Sequence, residues 1–134
     1  MGIEAGLTAE LTHTVTDEDS AASYGSGLMP VLSTPHLVAL IERTARKAIE
    51  PELSEGENNV GIRVDIQHLA ATPVGMEVRV RAELLEVDGR RLRFRVEAWD
   101  QEEKIGEGYH ERFIIDVARF IQGVEKKAGG VPDA

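Results

Sequence analysis

Two ionisable residues occupy positions where the surrounding pattern is apolar. His68 ends the run GIRVDIQH (residues 61–68), in which apolar and polar residues alternate, and this period of two is typical of a strand with one buried face. The histidine falls in step with the apolar positions, where an unsatisfied polar group costs free energy. Glu42 lies on a helical stripe with apolar residues at minus four, plus three and plus seven. These two positions predict a functional site.

A third candidate for the site is a residue with a hydroxyl group at the start of the predicted helix. Either Ser33 or Thr34 can cap this helix, and Pro35 suits its first turn. A helix N-terminus offers free backbone N–H groups and positive dipole character to an oxygen that gains negative charge. A hydroxyl, a carboxylate and an imidazole together would suit acyl transfer or hydrolysis. The spacing of the three residues does not by itself show that they meet.

Each of these residues also has a purely structural interpretation. Thr34 can serve only as the helix cap. Glu42 can lie at the rim of the helix and pair with Arg46, four residues further on. His68 can be a core histidine whose two ring nitrogens bind backbone groups. The pattern of residues leaves both interpretations open.

The periodicity predicts the elements that would position the site. Residues 7–16 alternate as a first strand, residues 17–29 form a loop, and a helix runs from Ser33 or Thr34 to Pro51. An acidic connection over 53–59 leads to four more strands, at 61–71, 76–87, 90–100 and 104–115. Asp88-Gly89 predicts a hairpin turn. Residues 117–134 are expected to form a short helix and a frayed tail.

This order of elements predicts the fold class. A strand, a long helix and four strands joined largely by hairpins make an antiparallel sheet with a helix across one face, which is an α+β arrangement. We expect a single domain over residues 1–134 with its core at about 7–116. Aromatic residues make up only 4% of the chain, so Val, Ile, Leu and Ala must form the core.

Composition limits the partners and the chemistry. The net charge of −9 argues against general affinity for nucleic acid or an anionic membrane surface. The absence of cysteine excludes disulfides and thiolate catalysis. There is no signal-peptide pattern and no apolar run of membrane-spanning length, so we expect a cytoplasmic protein. The four histidines, at positions 13, 36, 68 and 110, lack metal-ligand spacing, and neither a metal nor a cofactor is expected.

Four segments carry a resemblance to a known family. They are LSTPHLVALIERTA, VGIRVDIQHLAATPVGMEV, the hairpin EVDGRRLRF and the late segment IGEGYHER. Together they resemble the fluoroacetyl-CoA thioesterase family of hot-dog proteins over about residues 30–116. The most specific marks are HxAATPxG and GxGxHER. The resemblance implies a hot-dog fold, with the sheet wrapped around its central helix, and a homodimer in which two sheets join edge to edge.

The resemblance also implies roles for individual residues. The family's catalytic threonine, glutamate and histidine fall on Thr34, Glu42 and His68. Its glycine near the thioester carbonyl falls on Gly61, and its arginine at the coenzyme A end falls on Arg112. Arg90 and Arg91 are further candidates for the coenzyme A phosphates, although Arg90, Arg91, Arg93 and Arg95 also fit a solvated outer face.

The implied activity is hydrolysis of a small or medium acyl-CoA, with Glu42 acting either as nucleophile or as general base. The fluoroacetyl-specific enzyme has phenylalanines before the threonine that close a lid over a small acyl pocket. Residues 24–29 (YGSGLM) contain none, which predicts a more general acyl-CoA thioesterase. The alternatives are a non-catalytic acyl-CoA binding or sensing module, a hydratase that uses His36, and a structural dimer module.

Overall fold

A computed structural model describes residues 2–130 of the chain. Five strands are present in this part, namely Thr8–Thr14 (β1), Glu57–His68 (β2), Glu77–Asp88 (β3), Arg91–Trp99 (β4) and Lys104–Asp116 (β5). The helices are Ala21–Tyr24 (α1), Thr34–Ile49 (α2) and Val117–Ala128 (α3). Short 3-10 turns cover Asp17–Asp19 and Glu50–Glu52. The α+β class is confirmed.

The strands form one antiparallel sheet in the order β1-β3-β4-β5-β2. Alternate residues are fully buried on the face of the sheet that packs against α2, from Val78 to Leu84 in β3 and from Leu92 to Ala98 in β4, as the alternation predicted. These residues are Val78, Val80, Ala82, Leu84, Leu92, Phe94, Val96 and Ala98. Helix α2 contributes Leu37, Leu40, Ile41, Ala45 and Ile49 to the same core. The helix therefore lies mainly over the half of the sheet that contains β3 and β1, and its other flank faces β2.

The start of α2 separates two neighbouring hydroxyls. The Ser33 side chain accepts a hydrogen bond of 3.1 Å from the backbone N–H of His36, so Ser33 is the cap and Thr34 is the first helical residue. Pro35 lies in the first turn, and Pro51 lies in the 3-10 turn just after the helix ends at Ile49. Because Ser33 satisfies the helix end, the hydroxyl of Thr34 is available to another partner.

Strand β2 differs from its prediction in extent and in burial. It begins four residues earlier than expected, at Glu57, and ends at His68. Ile62 and Val64 were predicted to be buried, but they are 49% and 40% exposed. The prediction is wrong because β2 is an outer strand of the sheet, and α2 packs mainly against β3 and β1 on the far side.

A bulge in β2 changes which residues face the helix. Gly61 pairs with Arg112 and Arg63 pairs with Glu111, so Ile62 is an extra residue. Before the bulge, Gly61 faces the helix. After the bulge, the even-numbered residues of β2 face the helix, and His68 is one of them.

Smaller differences concern loops and ends. The β3–β4 turn is Gly89-Arg90, one residue later than predicted, and Gly89 has φ of +61°. The predicted loop at 17–29 contains α1 and a 3-10 turn. The helix predicted after residue 117 is confirmed as α3, whereas residues 131–134 of the predicted tail lie outside the described residues. None of the helices described is both long and apolar enough to cross a membrane.

Candidate active site

Thr34 and His68 form a direct contact. Thr34 Oγ1 lies 2.7 Å from His68 Nδ1, which joins the first residue of α2 to the last residue of β2. Nε2 of the same ring is buried and has no hydrogen-bond partner among the described residues. When Nδ1–H donates to Thr34 Oγ1, Nε2 is free to accept a proton. Burial lowers the pKa of His68, which keeps the ring neutral near pH 7.

This pair opens onto a cleft of about 500 Å³. Its walls come from α1, from the segment before α2 and from the residues after β2, including Ala21, Leu32 and Leu69. The lining is apolar apart from a few hydroxyls and the imidazole, and the start of α2 lies on one wall. Such a cleft can hold an apolar chain with a polar reacting group at the helix end.

A second group of residues lies further along α2. Glu42 faces Gly61 of β2, and a methyl group on Gly61 would come within 2.6 Å of Glu42 Oε2. Arg112 Nη1 of β5 lies 3.4 Å from the same carboxylate oxygen. The Glu42 side chain is 40% exposed, whereas that of Arg112 is 5% exposed. Glycine at position 61 therefore lets the carboxylate lie against the strand, and a side chain there would push it away.

Arg112 is fixed by two residues that the sequence did not single out. Its Nε donates to Asn59 Oδ1, and its Nη1 lies 3.1 Å from His110 Nε2. His110 is fully buried, and its Nδ1 lies 2.8 Å from the carbonyl oxygen of Arg63. Burial lowers the pKa of His110. The neutral ring with Nδ1–H satisfies both contacts, because Nδ1 donates to the carbonyl and Nε2 accepts from Arg112.

The two groups of residues are separated within the chain. Thr34 and Glu42 are eight residues apart on one helix, which is ~12 Å along its axis. We call Thr34 and His68 the imidazole cluster, and Glu42, Gly61 and Arg112 with its partners the carboxylate cluster. One chain therefore brings the five predicted site residues into two places rather than one.

The structural interpretations of Glu42 and His68 fare differently. Arg46 Nε pairs with Glu50 Oε2 at 2.8 Å and Glu42 lies near Arg112 instead, but the 40% exposure of the Glu42 side chain fits a position at the rim of the helix. His68 binds a side-chain hydroxyl through one nitrogen, and the other has no partner among the described residues, so it is not held by two backbone groups.

Three other arginines that the sequence offered for coenzyme A or for a solvated face, Arg91, Arg93 and Arg95, lie on the outer face of the sheet. Arg91 and Arg93 contact Glu111 at 2.9 and 3.6 Å, and Arg95 contacts Glu97 and Glu107. Arg90 lies 3.7 Å from Glu57. These pairs fit the solvated face that was the alternative interpretation of the arginines.

Comparison with known proteins gives one consistent result. Residues 15–118 match the family model described as fluoroacetyl-CoA-specific thioesterase. The fluoroacetyl-CoA thioesterase of Streptantibioticus cattleyicolor is 42% identical over 97 residues, which cover 72% of this chain and 70% of that protein.

Solved structures agree with the sequence comparison. A structure of the fluoroacetyl-CoA thioesterase FlK superposes with a TM-score of 0.89 at 33% identity, over 98% of this chain and 100% of that one. A thioesterase superfamily member from Thermus thermophilus superposes with a TM-score of 0.87 at 32% identity, over 96% and 98% of the two chains. The predicted hot-dog fold is confirmed.

Proposed function

This chain belongs to the fluoroacetyl-CoA-specific thioesterase family, and we propose that it hydrolyses an acyl-CoA thioester to a free acid and coenzyme A. The observation that carries the proposal is the Thr34–His68 pair, which presents a free, buried imidazole nitrogen to the cleft at the start of α2. A base of this kind, beside a helix N-terminus, suits proton transfer during attack on a carbonyl.

A homodimer would bring the two clusters together. In the described chain, the outer edge of β2 pairs with no other strand, and it carries exposed Ile62 and Val64. An unpaired, apolar edge is a template for pairing with a second chain. If two β2 edges pair antiparallel about a two-fold axis near Val64 and Asp65, Gly61 of the partner subunit lies close to His68. Each active site then combines the imidazole cluster of one subunit with the carboxylate cluster of the other.

Within this composite site the roles follow from the chemistry of each group. The thioester carbonyl lies at the start of α2, with the backbone N–H of Gly61 of the partner subunit as an oxyanion donor. Glu42 of the partner subunit attacks the carbonyl to form an anhydride, which water then hydrolyses, or it activates water for direct attack. In either route the C–S bond breaks, and His68 carries a proton from the attacking water to the departing coenzyme A thiolate. Thr34 orients His68. After a single turnover in ¹⁸O-labelled water, label in the Glu42 carboxylate would establish the nucleophilic role, because a general base directs the water oxygen only into the product acid.

We assign Arg112 a positioning role rather than contact with the coenzyme A phosphates. Its side chain is 5% exposed and already binds Asn59, His110 and Glu42. A buried guanidinium with these partners fixes the carboxylate and is not free to meet a solvated phosphate.

The acyl group is proposed to be small or medium in size and not restricted to fluoroacetyl. Residues 24–29 contain no phenylalanine to close a lid, and Leu28 and Met29 are 91% and 64% exposed. Release of free thiol from a series of acetyl-, fluoroacetyl-, butyryl- and hexanoyl-CoA tests this breadth. Release only from fluoroacetyl-CoA would contradict it, and binding without release would favour the sensing module. Because acyl-CoA is the substrate, we also propose a cytoplasmic location, which fractionation of the source cells tests.

Mixing two inactive variants tests the composite site. His68→Ala subunits and Glu42→Ala subunits are each expected to be inactive as pure dimers. After subunits exchange at random, about a quarter of the wild-type rate should return, because half of the dimers are mixed and each mixed dimer holds one intact site. No recovery, with exchange confirmed by native mass spectrometry, would show that each site lies within one subunit. A monomer in sedimentation would exclude the composite site altogether.

A further inference from the structure

His13, Asp19 and His36 form a cluster outside the proposed active site. The three residues come from β1, the first 3-10 turn and α2, and their ligand atoms all lie within 4.8 Å of one another. His13 Nε2 lies 2.6 Å from Asp19 Oδ2, and His36 Nε2 lies 3.1 Å from Asp19 Oδ1. The sequence spacing predicted no metal site, because His13 and His36 are far apart along the chain. The fold brings them together.

One ring nitrogen in this cluster has no hydrogen-bond partner among the described residues. His36 is 6% exposed, and its buried Nε2 makes no hydrogen bond within the described part of the chain, although it lies 3.1 Å from a carboxylate oxygen of Asp19. Asp19 is equally buried, at 6%. A buried polar atom without a partner costs free energy, so its place beside a carboxylate and a second imidazole points to a ligand that satisfies all three.

The surroundings of the cluster suit a cation. His36 Nδ1 lies 2.8 Å from Tyr24 Oη, so a neutral ring can donate through Nδ1 and leave Nε2 as a ligand. The Asp19 carboxylate is held beside the two rings by a hydrogen bond of 2.8 Å from the backbone N–H of Thr16 to Oδ2. A carboxylate and a neutral imidazole are the forms that bind metals.

We propose that His13, Asp19 and His36 bind a divalent transition-metal ion of the Zn²⁺ type. Two imidazoles and one carboxylate are suitable ligands for such ions, and a water molecule can complete the coordination. An open cleft of about 460 Å³, lined by Glu18, Asp19, Ser23, Tyr24 and His36, leads to the cluster and supplies an entry path.

The ion would hold the segment that borders the acyl cleft. The carbonyl oxygen of Asp19 accepts a hydrogen bond of 2.9 Å from the backbone N–H of Ser33, the cap of α2. An ion on the Asp19 side chain therefore links β1, the residues before α1 and the start of α2. The inference does not depend on the proposed hydrolysis, because it rests on this cluster alone.

Metal binding to the full-length protein tests the proposal directly. After treatment with a chelator, the protein is titrated with Zn²⁺ by calorimetry and with Co²⁺ by absorption spectroscopy. We expect one ion per chain and a higher unfolding temperature in Zn²⁺, because the ligand binds the native state. Asp19→Asn and His36→Gln should weaken binding at least about tenfold, as expected for the loss of a ligand. His68→Ala, which removes a histidine outside the cluster, is the matched control and should bind as the wild type does.

Other outcomes would overturn the proposal. Wild-type affinity no higher than that of Asp19→Asn, or an equal loss in His68→Ala, would mean that the cluster is only a hydrogen-bonded network. His13→Gln provides a second variant on a partly exposed side chain, should the more buried substitutions prevent folding. Circular dichroism of each metal-free variant checks that it is folded. Hydrogen exchange of residues 17–24 should slow in Zn²⁺, and unchanged exchange would exclude a role in holding this segment.

Discussion

The imidazole cluster and the carboxylate cluster lie on the same flank of α2, yet they are built differently. His68 makes one side-chain hydrogen bond, to Thr34, and has a ring nitrogen without a partner among the described residues. The carboxylate cluster is a connected network in which Arg112 reaches Asn59, His110 and Glu42. One cluster leaves an atom available for reaction, whereas the other fixes a charge in place.

This difference separates chemistry from stability. A side chain with few contacts can be removed at little cost in folding free energy, whereas an arginine that satisfies several buried acceptors cannot. If both clusters form one composite site, substitutions in either should reduce turnover, but only the loss of Arg112, which satisfies the buried acceptors of the carboxylate cluster, should also destabilise the fold.

The largest effect is expected on turnover. His68→Ala and Glu42→Ala should each reduce the rate of thiol release by about 10²–10⁴-fold, the usual contribution of a general acid or base. The unfolding midpoint in urea should stay close to that of the wild type, because neither side chain is a core residue. Near-normal turnover in both variants would refute the assignment, and unfolding together with loss of activity would support a structural role.

Arg112→Met should affect stability as well as rate. It leaves Asn59 Oδ1 and His110 Nε2 as buried acceptors without donors, which costs about 2–3 kcal/mol of unfolding free energy. Urea denaturation measures this loss, and thiol release measures the rate. If Arg112→Met were as stable as His68→Ala, the proposed difference in stability between the two clusters would be contradicted.

Gly61→Ala tests the contact between the strand and the carboxylate. The added methyl group would lie 2.6 Å from Glu42 Oε2 and 3.2 Å from Arg112 Nη1, so the carboxylate must move. We expect turnover to fall about 10–100-fold, since a displacement of ~1 Å at a reacting group can cost this much. Gly123→Ala in α3 is the matched control, because no atom lies within 4 Å of its added methyl. It should keep full activity and gain about 0.5–1 kcal/mol in stability.

The smallest effect is a change with pH. Because burial lowers the pKa of His68 below its ordinary 6.5, the wild-type rate should be constant around pH 7 and fall only in more acidic solution, by about tenfold per pH unit. The residual rate of His68→Ala should lack this acidic limb. The unfolded chain takes up its histidine protons first as pH falls below 6.5, so stability is complete above that value and declines below it. A wild-type rate that falls between pH 8 and 7 would contradict the neutral ring.

The sequence predicted the central part of the fold well for a physical reason. Each of β3 and β4 has a strand on both sides and a helix on one face, so burial alternates along β4 and along β3 as far as Leu84, where the register shifts. Ala82 and Phe94 follow that rule without exception. Ile62 does not, because it is the extra residue of a bulge on an outer strand, and periodicity alone carries no signal for either feature.

The sequence indicated which residues are candidates for the site, but not which of them contact one another. The Thr34–His68 contact joins residues from two elements, and only the packing of β2 beside α2 reveals it. Asn59 lay in a segment interpreted as an acidic connection, and His110 was known only as part of the GxGxHER motif. The network around Arg112 depends on the pairing of β2 with β5, which the order of elements along the chain does not specify.

The bulge at Ile62 has a consequence for how the strand tolerates change. Deleting Ile62 would restore regular pairing and keep His68 on the same face as Gly61, because the two residues would then be an even number of positions apart. The glycine and the histidine face the same side only because their separation of seven includes one surplus position. Deleting or inserting one residue in the regular part of β2, with the bulge kept, would instead turn His68 to the opposite face.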